Sequence, residues 1–155
     1  MTGYSILDLI LKATIGFAAS WLAYQQHKLG KSKLRFELYD KRYALFLTLR
    51  LFVSDLAIGD ANEPLESLGN AGTFKRDTIE SRFLFDDRVV RYFDEVYKKA
   101  TKLANIRVAL ERPNLTEAQI EEMKEEENVL RTWFFDQSDA MFTLFRKDLA
   151  VKTLE

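Results

Sequence analysis

An apolar run from Tyr4 to Tyr24, YSILDLILKATIGFAASWLAY, meets a basic cluster from Lys28 to Arg35, and this junction constrains the chain more than any other feature. As a helix, the run would extend about 31 Å, close to the hydrocarbon thickness of a bilayer. No charge occurs between Ala13 and Tyr24. Trp21 and Tyr24 stand at its C-terminal end, where aromatic rings favour the membrane interface. Residues 1–27 are therefore expected to form a membrane-anchor helix, and residues 28–155 a cytoplasmic helical bundle. The collar Lys28, Lys31, Lys33 and Arg35 orients such an anchor by the positive-inside rule. The expected placement is single-pass in the inner (cytoplasmic) membrane, with the N-terminus outside and the C-terminus cytoplasmic. A cleaved signal peptide fits less well, because the basic n-region is missing and Asp8 stands in its place.

Two charges oppose a span. Asp8 and Lys12 each cost about 2–3 kcal/mol near the bilayer centre, and less toward its edge. Their i, i+4 spacing allows them to pair on one face, and Lys12 can snorkel to the interface. The alternative is a long amphipathic helix that packs on the rest of the protein or on a partner. Ala13, Gly16, Ser20 and Ala23 recur at spacings of 3, 4 and 3, a candidate helix–helix packing face. Ala, Gly and Ser are also common in membrane helices for no such reason.

The formal net charge of -1 conceals a gradient. Residues 28–57 hold seven basic groups against three acidic, and the residues after them hold 15 against 20. The acidic remainder opposes nucleic acid at most of the surface, so no nucleic-acid partner is expected. The collar can orient the anchor, and it can also bind anionic lipid headgroups.

Beyond the anchor, the periodicity is helical. Leu38, Leu45 and Phe52, with Tyr39, Phe46 and Val53, recur every seven residues, and Leu49 and Leu56 add a third row. That predicts one long helix over 32–57, with Gly30 breaking or bending its junction with the first. Residues 58–72, with three glycines and Pro64, read as a loop. Its Asp60-x-Asn62-Glu63 run lacks the glycine and glutamate spacing of a calcium loop. A short helix is expected from Thr73, as its cap, to Phe85. Val89, Phe93, Val96, Ala100, Leu103 and Leu110 mark a helix over 86–112, with Asp86 and Asp87 at its start, where acids suit the dipole. Arg112-Pro113-Asn114 ends it. Thr116 and Gln119 form a capping box for a last helix near Glu117, with Ile120, Met123, Leu130, Phe134, Met141 and Leu144 in one register. Glu127 and Gln137 interrupt that register. The last helix can reach Ala150 or bend near Asp136. The expected fold is all-α: a transmembrane or long amphipathic helix, then an antiparallel bundle of three long helices and one short helix.

Chemistry is sparse. Cysteine is absent, and His27 is the single histidine. Those counts exclude disulfides, thiol nucleophiles, Cys-ligated metals and two-His metal motifs within one chain. No phosphate-cradling glycine motif or nucleophile elbow occurs. The acids over 121–127 read as a solvated helix face. No cofactor, metal or catalytic residue is expected.

The stretch Lys33-Leu34-Arg35-Phe36-Glu37-Leu38-Tyr39-Asp40-Lys41-Arg42-Tyr43 resembles K-L-[RK]-x-[DE]-L-[FY]-[DE]-[KR]-R-[YF]. That pattern follows the single membrane helix of an uncharacterised family of small bacterial proteins. Phe83-Leu84-Phe85 and Trp133-Phe134-x-x-Gln137 are similar to further segments of those proteins. The resemblance implies an anchor and a cytoplasmic bundle, and it transfers no site.

The expectation is thus a non-enzymatic, membrane-anchored interaction or sensor protein. Its partners would be anionic bilayer headgroups, an unknown protein and further copies of itself. One alternative is a pore-type effector that acts through an oligomer of the first helix. Another is a soluble helical enzyme using Asp86, Asp87 or the 121–127 acids.

Overall fold

The computed structural model describes residues 3–58 and 64–150. Within those ranges, the side chains of residues 3–11, Ala13, Ile15, Ala18, Ser32 and 64–67 lie outside the description. The elements are α1 (Gly3–Ile58), α2 (Pro64–Asp77), α3 (Ser81–Leu84), α4 (Asp87–Leu110) and α5 (Glu117–Phe145). The fold is all-helical, with no strand among the described residues. Two compact units divide within α1, between Leu38 and Tyr39. Gly30 does not interrupt α1.

The second unit is a helical bundle. The heptad rows read from the sequence become its core: Leu45, Phe46, Leu49, Val53 and Leu56 of α1 are buried. They meet Val89, Phe93, Val96, Ala100 and Leu103 of α4, and Leu130, Phe134, Met141 and Phe145 of α5. Leu38 and Tyr39, from the same rows, are exposed and half-buried. The rows therefore become core only from Leu45 and Phe46 onward, where α4 and α5 supply neighbours. Phe145 is fully buried at an aromatic centre, its ring 5.2 Å from Phe46, 5.2 Å from Phe85 and 5.9 Å from Phe93.

The order of contacts sets the directions of the helices. Along α4, Tyr92, Lys99 and Arg107 meet Gln137, Trp133 and Glu127 of α5, in opposite chain order. Along α1, Phe46, Arg50 and Ala57 meet Phe145, Phe142 and Arg131 in the same opposed sense. Helix α5 thus runs antiparallel to both.

Two readings need correction. The expected 58–72 loop is largely helix, because α2 begins at Pro64. Proline suits the first helical position, where its missing N–H removes no bond. Glycine penalties at Gly69 and Gly72 are outweighed by packing: Ala71, Phe74 and Thr78 are buried at helical spacing, and Phe74 stacks 4.1 Å from Phe52. Thr73 is therefore inside a helix and is not a cap. The helix expected from Thr73 to Phe85 is broken at Thr78–Glu80 and resumes for one turn in α3. The Thr78 hydroxyl donates to the Phe74 carbonyl at 2.7 Å, closing the end of α2. The Asp60-x-Asn62-Glu63 run lies outside the described residues.

The other termini follow the sequence. Asp86 caps α4, its carboxylate accepting from the Arg88 and Val89 amides at 3.1 Å each. The Val89 bond, with help from the Arg88 charge, holds the Asp86 pKa below its usual value. Thr116 and Gln119 form the capping box at the start of α5. That helix continues past Asp136 without a break to Phe145.

Candidate functional site

In the first unit, every described side chain from Lys12 to Leu38 is exposed, save the half-exposed Gln25. The large apolar ones are Phe17, Trp21, Leu22, Tyr24, Leu29, Leu34, Phe36 and Leu38. Phe17 is 75% exposed and Trp21 59%. At about 100° per residue, Phe17, Trp21 and Tyr24 fall on one side of α1 and Leu22 on another. Gly16, Ser20 and Ala23 occupy a third.

At Gly16 the candidate packing face is open. A Cβ at Gly16 would meet nothing within 4 Å. The Ser20 hydroxyl donates to the Gly16 carbonyl at 2.8 Å. That bond satisfies the only polar side chain of the face within its own helix, the state a hydroxyl needs in lipid. Ala13 belongs to the same face, and its side chain lies outside the described residues. So does that of Asp8, the expected partner of Lys12. Trp21 and Tyr24 have ring centroids 6.5 Å apart.

Among the described residues, no helix is long and apolar enough to cross a membrane. The charge-free segment starting at Ala13 is shorter than the roughly 20 residues a span needs. Residues 4–11, the first part of the run and including Asp8, have side chains outside the description.

The collar is not uniform. Lys33 pairs with Glu37 at 3.9 Å, one turn on. Lys28, Lys31 and Arg35 are exposed and make no ion pair among the described residues. His27 is exposed beside them.

Comparison with family models, curated proteins and solved structures finds no match.

Three of the carboxylates weighed for chemistry have structural partners. Asp86 is a cap. Glu126 pairs with Lys102, and Glu127 with Arg107 at 2.9 Å. Glu121, Glu122 and Glu125 are exposed, as is Asp87. No group of three His, Asp or Glu side chains that could hold a metal occurs among the described residues. Gln137, the second polar interruption in α5, accepts from the Tyr92 hydroxyl at 3.0 Å and donates to the Trp133 carbonyl at 2.9 Å. Burial, with a contribution from Glu95, raises the Tyr92 pKa well above its usual value.

One surface feature escaped the sequence reading. Between the C-terminal part of α1 and the middle of α5 lies an open groove of about 400 Å³. Val53, Ala57, Phe134 and Met141 line it, with Arg50 from α1 and Asp136 and Asp139 from α5 at its polar edge. Ile58 and Phe135 border it at 71% and 70% exposure. The available signal was Phe135, a phenylalanine outside the core register of α5.

Proposed function

We propose that this chain is a non-enzymatic, membrane-associated interaction protein. The N-terminal part of α1 lies in the bilayer, and the bundle engages a protein partner in the cytoplasm. One observation carries the reading: the apolar side chains around α1 from Phe17 to Tyr24 are exposed, although about 25 cal/mol per Å2 favours taking such surface out of water. The self-satisfied Ser20 hydroxyl and the step from aromatic to basic residues support lipid as the covering medium. By sequence, the run Tyr4–Tyr24 is about as long as the hydrocarbon core is thick, with the collar on the cytoplasmic side of the inner membrane. The groove between α1 and α5, with its exposed Phe135, offers the bundle a contact surface of its own.

Fractionation of the full chain with a C-terminal tag tests this. The expected result is membrane association that survives carbonate extraction and is lost on deletion of residues 1–27. A soluble full-length protein with unchanged behaviour after that deletion would refute it. Crosslinking in the membrane fraction then identifies what the bundle contacts.

A further inference from the structure

Resting on the membrane reading, we infer that Lys28, Lys31 and Arg35 form a one-sided site for the phosphate headgroups of anionic phospholipids. The site is a stripe on one face of α1, and the rest of the collar does not share in it.

The stripe is continuous. Phe17, Trp21, Tyr24, Lys28, Lys31 and Arg35 are spaced 4, 3, 4, 3 and 4, so they follow one line along α1. That line drifts only about 20° per heptad. Its aromatic part anchors at the interface, and its cationic part begins one turn further on. The rise of about 1.5 Å per residue puts Lys28 roughly 6 Å and Arg35 roughly 16 Å beyond Tyr24. The interfacial layer is about 5–8 Å deep. Lys28 and Lys31 reach it with extended side chains, and Arg35 acts within a Debye length of about 10 Å.

The remaining basic residues are differently engaged. Lys33 points about 160° away from Arg35 by helical position, and it pairs with Glu37. Arg42 continues the stripe by spacing, but its Nε donates to the Leu84 carbonyl at 2.8 Å and its guanidinium lies over the Phe85 ring. Glu37, the one carboxylate between Lys12 and Leu38, falls on the face opposite the stripe and does not compete for the three cations. The arrangement pulls α1 over toward one side in an anionic leaflet.

The test uses the full chain reconstituted into phosphatidylcholine vesicles with a trace of doxyl-labelled phosphatidylglycerol or doxyl-labelled phosphatidylcholine. Quenching is assigned to Trp21 by subtracting the Trp21→Phe protein, which leaves Trp133 in place. The expected result is stronger quenching by the phosphatidylglycerol label, with the preference falling about fivefold for Lys31→Gln or Arg35→Gln. Lys33→Gln removes the same charge from the other face, and its preference should stay at the parent value. Equal losses for Lys31→Gln and Lys33→Gln would overturn the one-sided site. So would equal quenching by the two labels, which leaves the membrane reading standing. No quenching by either label would overturn both.

Discussion

The buried Arg107–Glu127 pair gives the sharpest test of how α4 and α5 are held together. Arg107 is 5% exposed, and its Nε donates to Glu127 Oε1 at 2.9 Å. Its Nη2 has no hydrogen-bond partner among the described residues. The guanidinium thus depends on one carboxylate, itself 16% exposed at the side chain. Glu127→Leu removes that carboxylate and leaves a buried charge uncompensated, a loss of about 3–5 kcal/mol. With a urea slope near 2 kcal/mol/M, the midpoint falls by about 2 M. Arg107→Met costs less, because Glu127 is nearer to water and recovers part of its hydration. The double substitution Arg107→Met/Glu127→Leu removes both desolvation penalties and the unsatisfied Nη2, so its stability should lie close to that of the parent. The assay is urea unfolding in mild detergent followed by Trp133 fluorescence, in a Trp21→Phe background that removes the second tryptophan. The four proteins form a double-mutant cycle. Strictly additive losses, with the double variant the least stable, would refute the claim that the carboxylate exists to compensate the arginine.

Other outcomes follow from the same packing. Gly69→Ala in α2 should raise stability by about 0.5–1 kcal/mol, since an added Cβ meets nothing within 4 Å and the helix gains propensity; a lower urea midpoint would contradict the helical assignment of that segment. Phe145→Ala should cost about 3–5 kcal/mol, because it empties the centre shared by Phe46, Phe85 and Phe93; thermal unfolding by circular dichroism reads the loss. A hydrogen bond from Lys75 holds the Asp94 pKa below its usual 3.8. The folded state therefore binds that proton more weakly, and the stabilisation present above about pH 4 is lost as pH falls through the lowered value; Asp94→Asn should flatten this acid limb of the stability curve. Tyr92 has the opposite sense. Its raised pKa means stability is complete below the usual value of 10.0 and declines as pH rises above it. Tyr92→Phe should abolish that alkaline loss while costing about 1–2 kcal/mol at neutral pH, by leaving Gln137 one donor short.

Sequence patterns with a local physical cause were legible. The heptad rows of α1, the 4-3 spacing of α4 and the capping box of α5 each depend on residues within a few turns, and each appears in the structure. The Asp86 cap is of the same kind. The reading failed where local and tertiary signals conflict. Gly69, Gly72 and Pro64 look like punctuation in a one-dimensional string, yet α2 forms because Ala71 and Phe74 find a buried surface against other helices. Glu127 and Gln137 looked like flaws in the α5 register, and they become polar cross-links once Arg107 and Tyr92 face them. The groove was hidden because its walls lie roughly 80 residues apart in sequence, on elements that only folding brings together.

By itself, the sequence determined an all-helical chain with an apolar, uncharged segment that gives way to a basic one. Helical periodicity and charge order are local properties, set by residues near one another along the chain. Only the tertiary structure decided which parts of those patterns have partners. Burial begins partway along the α1 rows because α4 and α5 contact them there.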